Sequence, residues 1–198
     1  MQVDFYYDFG SPTAYIAWRR LRNICNTHSA VLNYRPMLLG GVFKATGNAS
    51  PAMVEAKGKW LFEDIQRFAK KYQIEFEMNP HFIINTLLPM RGAIWAENSG
   101  VIEAYTEALF TATWVDRIDV SDPDQLSSIV HAAGLDAESM ASGVQQPATK
   151  AQLIEATELA VGRGVFGAPT MFVSEQMHFG QDRIDWVEEA LAGEISRT

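Results

Sequence analysis

The chain has 198 residues, 47% of them hydrophobic and 20% charged, which suits one globular domain or one domain carrying a large insertion. Its net charge of −8 argues against a nucleic-acid backbone or an anionic membrane as main partner, since both need clustered Lys and Arg. Cys25 is the only cysteine, so no intramolecular disulfide can form.

The opening MQVDFYYDFGSP lacks the basic start and apolar run of a signal peptide, and no apolar stretch approaches the ~20 residues of a membrane-spanning helix. A cytoplasmic enzyme is the expectation. Val3 to Tyr7 is rich in β-branched and aromatic residues and ends at Asp8-Phe9-Gly10, which predicts a strand and a turn. Ser11-Pro12 then predicts a helix start, with Ser as N-cap and Pro in the first turn. Tyr15, Ile16, Trp18, Leu21 and Ile24 recur at helical spacing, and Val31 to Arg35 predicts a second strand. A crossover of this length normally returns a parallel neighbour.

The middle differs. Gly40-Gly41 and Gly47 to Pro51 predict a loop-rich passage, and Pro80 and Pro89 are expected to break the chain. Between them Lys59 to Tyr72 is helical in pattern, followed by Gly92 to Glu97, Val101 to Trp114 and Pro123 to Ala133. Thr149 to Arg163 is predicted helical, Thr170 to Ser174 and Gln176 to Phe179 are short strands, and Asp182 to Leu191 is a closing helix. The order βαβ, helical stretch, αββα is that of an α/β thioredoxin-like fold with an all-helical domain inserted after its second strand. The expected boundaries are 1–40 plus 149–198 for the thioredoxin-like part and 41–148 for the insertion.

Three places suit chemistry. Ser11 opens the first helix, where unpaired N–H groups and the dipole favour negative charge. Thioredoxin-like proteins put a redox cysteine there, but Ser11-Pro12-Thr13-Ala14 has no sulfur and cannot exchange disulfides. A serine hydroxyl can instead donate to a thiolate supplied by a ligand; serving only as an N-cap is the plain alternative. Gly167-Ala168-Pro169-Thr170 is a candidate cis-proline turn whose Ala168 backbone can pair with an extended peptide, against an ordinary trans proline opening a strand. Phe179-Gly180-Gln181-Asp182-Arg183 offers an amide, a carboxylate and backbone N–H groups suited to an amino-acid-like ligand end, against a simple Asp182 cap.

Together DFYYDFGSPTAYIA, GGVFKATGN, AKGKW, GVFGAPTMFV and HFGQDR resemble the 2-hydroxychromene-2-carboxylate isomerases and the related kappa-class glutathione transferases, members of the DsbA-like group of thioredoxin folds. The resemblance implies glutathione as cofactor. It implies Ser11 as the catalytic group on the glutathione sulfur and Ala168 before cis-Pro169 against its cysteinyl part. Gln181 and Asp182, approached through Phe179 and Gly180, would meet the γ-glutamyl end. Asn48 and Lys57 would approach the glycyl end, and Lys44 is the choice for a substrate carboxylate, with Arg35 and Arg91 as further cations. Gln181 departs from the serine or asparagine usual there.

A homodimer and a small aromatic substrate are also implied. The leading expectation is a glutathione-dependent isomerase of an aromatic pyruvate-like substrate. Its rivals are a kappa-like transferase of small electrophiles and a non-catalytic thiol-peptide binder. His28, His81, His131 and His178 show no metal-ligand spacing. Trp60, Phe62, Phe82, Trp95 and Trp114 divide between an apolar pocket and plain core.

Overall fold

The computed structural model describes residues 1–193. Strand β1 (Gln2–Tyr7) is buried from Val3 onward, so it occupies the middle of a sheet, not its edge. Helix α1 (Pro12–Thr27) carries it back to β2 (Val31–Pro36), which pairs with β1 in parallel, Gln2 opposite Val31 through Tyr7 opposite Pro36. The last two strands, β3 (Thr170–Val173) and β4 (Gln176–Phe179), add antiparallel on the other side, giving the order β2-β1-β3-β4. This is the mixed four-stranded sheet of a DsbA-like thioredoxin fold.

The regular elements between β2 and β3 are all helical: α2 (Leu39–Thr46), a 3-10 turn at Pro51–Met53, α3 (Glu55–Tyr72), α4 (Leu87–Asn98), α5 (Ile102–Trp114), α6 (Pro123–Ala132), α7 (Ala137–Gly143) and α8 (Pro147–Gly162). A second 3-10 turn at Gln181–Arg183 leads into α9 (Ile184–Ala192). Phe9, Tyr15, Trp18, Tyr105 and Phe110 are fully buried and join the sheet side of the core to the helical side. Phe9 lies edge-on to both Phe110 and Tyr105, with ring centroids 5.0 and 5.9 Å away.

Two expectations change. The passage around Gly40-Gly41 is not loop: α2 runs through it, even though each glycine costs a helix about 1 kcal/mol relative to alanine. The compensation is tertiary, with Val42 fully buried and the first amides tied down: Leu38 N donates to Thr157 Oγ1 (3.0 Å) and Leu39 N to Asp8 Oδ2 (2.8 Å). Pro89 does not break the chain but lies in the first turn of α4, where its missing N–H would have had no helical partner.

No helix among the described residues is long and apolar enough to cross a membrane.

Candidate active site

Ser11 caps α1 from an extended backbone conformation, its Oγ accepting from Ala14 N at 3.1 Å. The same oxygen lies 3.0 Å from Thr13 Oγ1, and both hydroxyls donate to the Ala168 carbonyl at 3.3 Å. The capping and the chemical readings of Ser11 therefore concern one atom in one place. No acidic residue occupies the first turn of α1, so nothing there offsets the positive end of the helix. Thr13 is a site hydroxyl that sequence reasoning passed over; its signal was a second hydroxyl two residues into the same N-terminal turn.

The turn carrying Ser11 is held from below by Asp8, which is 1% exposed. One carboxylate oxygen accepts from Gly10 N at 2.8 Å and the other from Leu39 N at 2.8 Å. Burial pushes the Asp8 carboxyl above the ordinary range; the Thr86 hydroxyl and these two amides oppose that shift. Asp8 thus joins the Ser11 turn to the starts of α2 and α4 (Thr86 precedes α4). The sequence reading used it only as part of a turn signal.

The Ala168–Pro169 bond is cis. Beyond it, Gly180 N donates to Pro169 O at 3.0 Å with φ at 99°, and a Cβ on Gly180 would lie 2.5 Å from Asp182 Oδ1, so only glycine fits. Gln181 is 5% exposed and its Oε1 is buried without a hydrogen-bond partner. A buried amide oxygen left bare costs about 1–3 kcal/mol, which marks it as an acceptor awaiting a donor. Asp182 pairs with Arg183 Nη1 at 2.6 Å.

These groups open on one cleft of about 770 Å³. Ser11, Thr13, Ala168, Pro169, Phe179, Gly180, Gln181, Asp182 and Asn48 line it together, though they come from opposite ends of the sequence. Asn48 spans its far side, its amide donating to Phe166 O at 2.8 Å. Leu39 and Phe43 from α2, Trp60 and Leu61 from α3, and Phe82 supply apolar walls. Of the aromatics divided between pocket and core, Trp60 and Phe82 line the cleft; Trp114 is fully buried, its indole N–H donating to Phe9 O at 2.9 Å, and Phe62 and Trp95 lie off it.

The cations are placed otherwise. Lys57 is exposed on α3, one turn before Trp60 and Leu61 on the same face, and is not among the lining residues. Lys44 and Arg91 lie in a different cavity beyond α2. Arg35 is bound to Asp4 on β1, at 3.1 Å. The charged side chains lining the Ser11 cleft are both acidic, Asp64 and Asp182. Cys25, late in α1, is buried, and burial pushes its thiol up to about 11.

A family profile for the DSBA-like thioredoxin domain matches residues 2–192. A 2-hydroxychromene-2-carboxylate isomerase of Sphingobium xenophagum is 33% identical over 191 residues, covering 96% of this chain and 97% of that one. Glutathione S-transferase kappa 1 of Homo sapiens is 28% identical over 203 residues, 96% of this chain and 90% of its own. A solved 2-hydroxychromene-2-carboxylate isomerase superposes with a TM-score of 0.89 at 29% identity, over 98% of this chain and 96% of that one. The chain therefore belongs to the DSBA-like thioredoxin domain family and is an enzyme of the group formed by 2-hydroxychromene-2-carboxylate isomerases and kappa-class glutathione transferases.

Proposed function

We propose that the protein is a glutathione-dependent isomerase of an aromatic, pyruvate-like substrate, with Ser11 holding the glutathione sulfur as its thiolate. The observation that carries this reading is the pair of hydroxyls, Ser11 and Thr13, at an α1 N-terminus free of acidic residues and within one cleft with Gln181. A thiolate placed there takes a hydrogen bond from Ser11, with Thr13 and the α1 dipole adding to it.

The tripeptide fits the rest of the cleft. Gln181 Oε1, bare in the structure, accepts from the α-amino group of the γ-glutamyl end, and Asp182 adds a carboxylate beside it. Ala168 ahead of Pro169 pairs its backbone with the cysteinyl unit, Phe179 and Gly180 shape the approach, and Asn48 with Lys57 on α3 serve the glycyl end. When bound, glutathione supplies a nucleophile that adds reversibly to a conjugated double bond, permits rotation about it, and leaves unchanged. Leu39, Phe43, Trp60 and Phe82 receive the aromatic body. A homodimer and a cytoplasmic, glutathione-rich setting belong to the same reading.

A second reading has an observation in its favour. The lining of the cleft holds two carboxylates and no cation, which suits an uncharged electrophile better than a carboxylate-bearing one and favours kappa-like transfer. The two are separated by incubating the protein with glutathione and either an aromatic pyruvate or a neutral aryl electrophile. Isomerisation with the glutathione titre unchanged supports the isomerase; stoichiometric loss of free thiol with the neutral electrophile supports the transferase. Glutathione binding with neither reaction leaves only a thiol-binding module and defeats both.

A further inference from the structure

Helix α2 has a cavity on each side. Leu39 and Phe43 face the Ser11 cleft, whereas Gly41, Lys44 and Ala45 face a second cavity of about 620 Å³ bounded by the start of α4 and by α8. That volume is within the usual range of small-molecule sites, about 300–1,000 Å³. Its walls are Leu38, Leu87, Leu153, Ile154 and Val161, and Lys44, Arg91 and Lys150 bring positive charge against a single acid, Glu158. A chain with 16 basic and 24 acidic residues thus gathers three cations and one acid around one apolar hollow.

None of the three cations forms an ion pair or a side-chain hydrogen bond among the described residues, and Arg91 Nε is buried without a partner. A guanidinium with its Nε enclosed and unused calls for an acceptor, and a carboxylate is the planar partner that its geometry matches. The contrast with the other face of α2 is direct: there the lining charges are Asp64 and Asp182, each paired with a neighbouring arginine, Arg67 at 3.6 Å and Arg183 at 2.6 Å.

We propose that the cavity formed by α2, the start of α4 and α8 is a second binding site, for an amphipathic carboxylate with a ring-sized or short acyl body. The carboxylate meets Arg91, Lys44 and Lys150, and the apolar body lies along Leu87, Leu153 and Ile154. The site is independent of glutathione and stands apart from the reading of the Ser11 cleft.

The test is calorimetric titration of the full chain with 2-naphthoate, with decanoate, and with the neutral 2-naphthalenemethanol, each with and without saturating S-hexylglutathione. One equivalent of 2-naphthoate or decanoate binds with S-hexylglutathione present, and whichever binds more tightly identifies the body as ring or chain. The alcohol binds at least about tenfold more weakly, and Arg91→Gln weakens the carboxylate by a similar factor, as the loss of a charged hydrogen bond requires. Because Arg91 is partly buried and its replacement can unsettle the fold, Lys44→Gln and Lys150→Gln provide a second measurement. Each is expected to weaken carboxylate binding about threefold, a change typical of an exposed charge. Equal affinity for acid and alcohol, displacement of 2-naphthoate by S-hexylglutathione, or indifference to all three substitutions overturns the proposal. So does absence of carboxylate binding by the unsubstituted chain, and abolition of its self-association by Ile154→Asp would then mark the face as a contact between copies.

Discussion

Removing the Ser11 hydroxyl is the most direct test of the proposed chemistry, and the geometry sets the size of the effect. An ordinary cysteine thiol titrates near 8.5. A hydrogen bond to a charged acceptor is worth about 1.5–3 kcal/mol, and a helix N-terminus about 0.3–1 kcal/mol more. At 1.36 kcal/mol per pKa unit the two bring the bound thiol to about 6–7. Ser11→Ala removes the first contribution, raising that value by about one to two units and cutting the thiolate fraction at pH 7 roughly tenfold.

Thr13 Oγ1, 3.0 Å from the Ser11 oxygen, remains in the single variant and recovers part of this, so Ser11→Ala with Thr13→Val shows the full shift. Loss of the Ala14 cap costs about 1 kcal/mol of stability in Ser11→Ala but only a few tenths in Ser11→Gly, which separates the two roles of the oxygen. The assay is ultraviolet difference absorbance of bound glutathione against pH. A bound thiol that titrates like free glutathione in the parent protein, or an unchanged titration in the double variant, refutes the assignment.

Gln181→Leu keeps the buried volume but removes the amide, so glutathione affinity falls about tenfold by calorimetry while the unliganded fold gains stability, since Oε1 is no longer bare. Equal affinity in the variant sinks the γ-glutamyl assignment. Gly92→Ala puts a Cβ into the Tyr105 hydroxyl and 2.6 Å from its Cζ; expelling that ring breaks its 2.9 Å bond to Pro89 O and costs about 2–4 kcal/mol in urea unfolding. Burial alone would raise the Asp4 carboxyl, but Arg163, Asn33 and Arg35 outweigh it and hold it below its ordinary 3.8. The unfolded chain therefore takes up that proton first, so this stabilisation is complete above 3.8 and fades as pH falls through the folded value. Asp4→Asn flattens the acid limb of a stability–pH curve, and parallel curves for variant and parent contradict this.

The parts of the fold written in local sequence were the ones that could be read. The β-branched and aromatic run of Val3 to Tyr7, the Ser11-Pro12 cap and the late pair of strands each follow from neighbours in the chain. Helix α2 did not, because its glycines oppose a helix and the amides that rescue it bind Thr157 and Asp8, far off in sequence. Asp8 was invisible for the same reason: its partners are defined only once three segments meet. Helix α7, capped by Asp136 on Ser139 N at 2.8 Å and burying only Met140, is too short to show a period. The cap at Ser11, the cis-proline turn after Ala168 and the helical turn opening at Gln181 were legible because such signals are local. The placement of Lys44 in the cavity beyond α2 was not, since the position of an exposed lysine depends on which side of a helix the rest of the chain closes around.

The burial of Cys25 has a consequence for how such an enzyme answers its surroundings. With its one thiol pushed up to about 11 and enclosed in α1, the protein offers no thiolate to attack oxidised glutathione. A thioredoxin relative with cysteines at the same helix start is governed by redox potential, the balance of thiol against disulfide. Here that dependence is gone. On the proposed reading redox conditions reach turnover only through the amount of reduced tripeptide, and the protein itself has no oxidised state at this site.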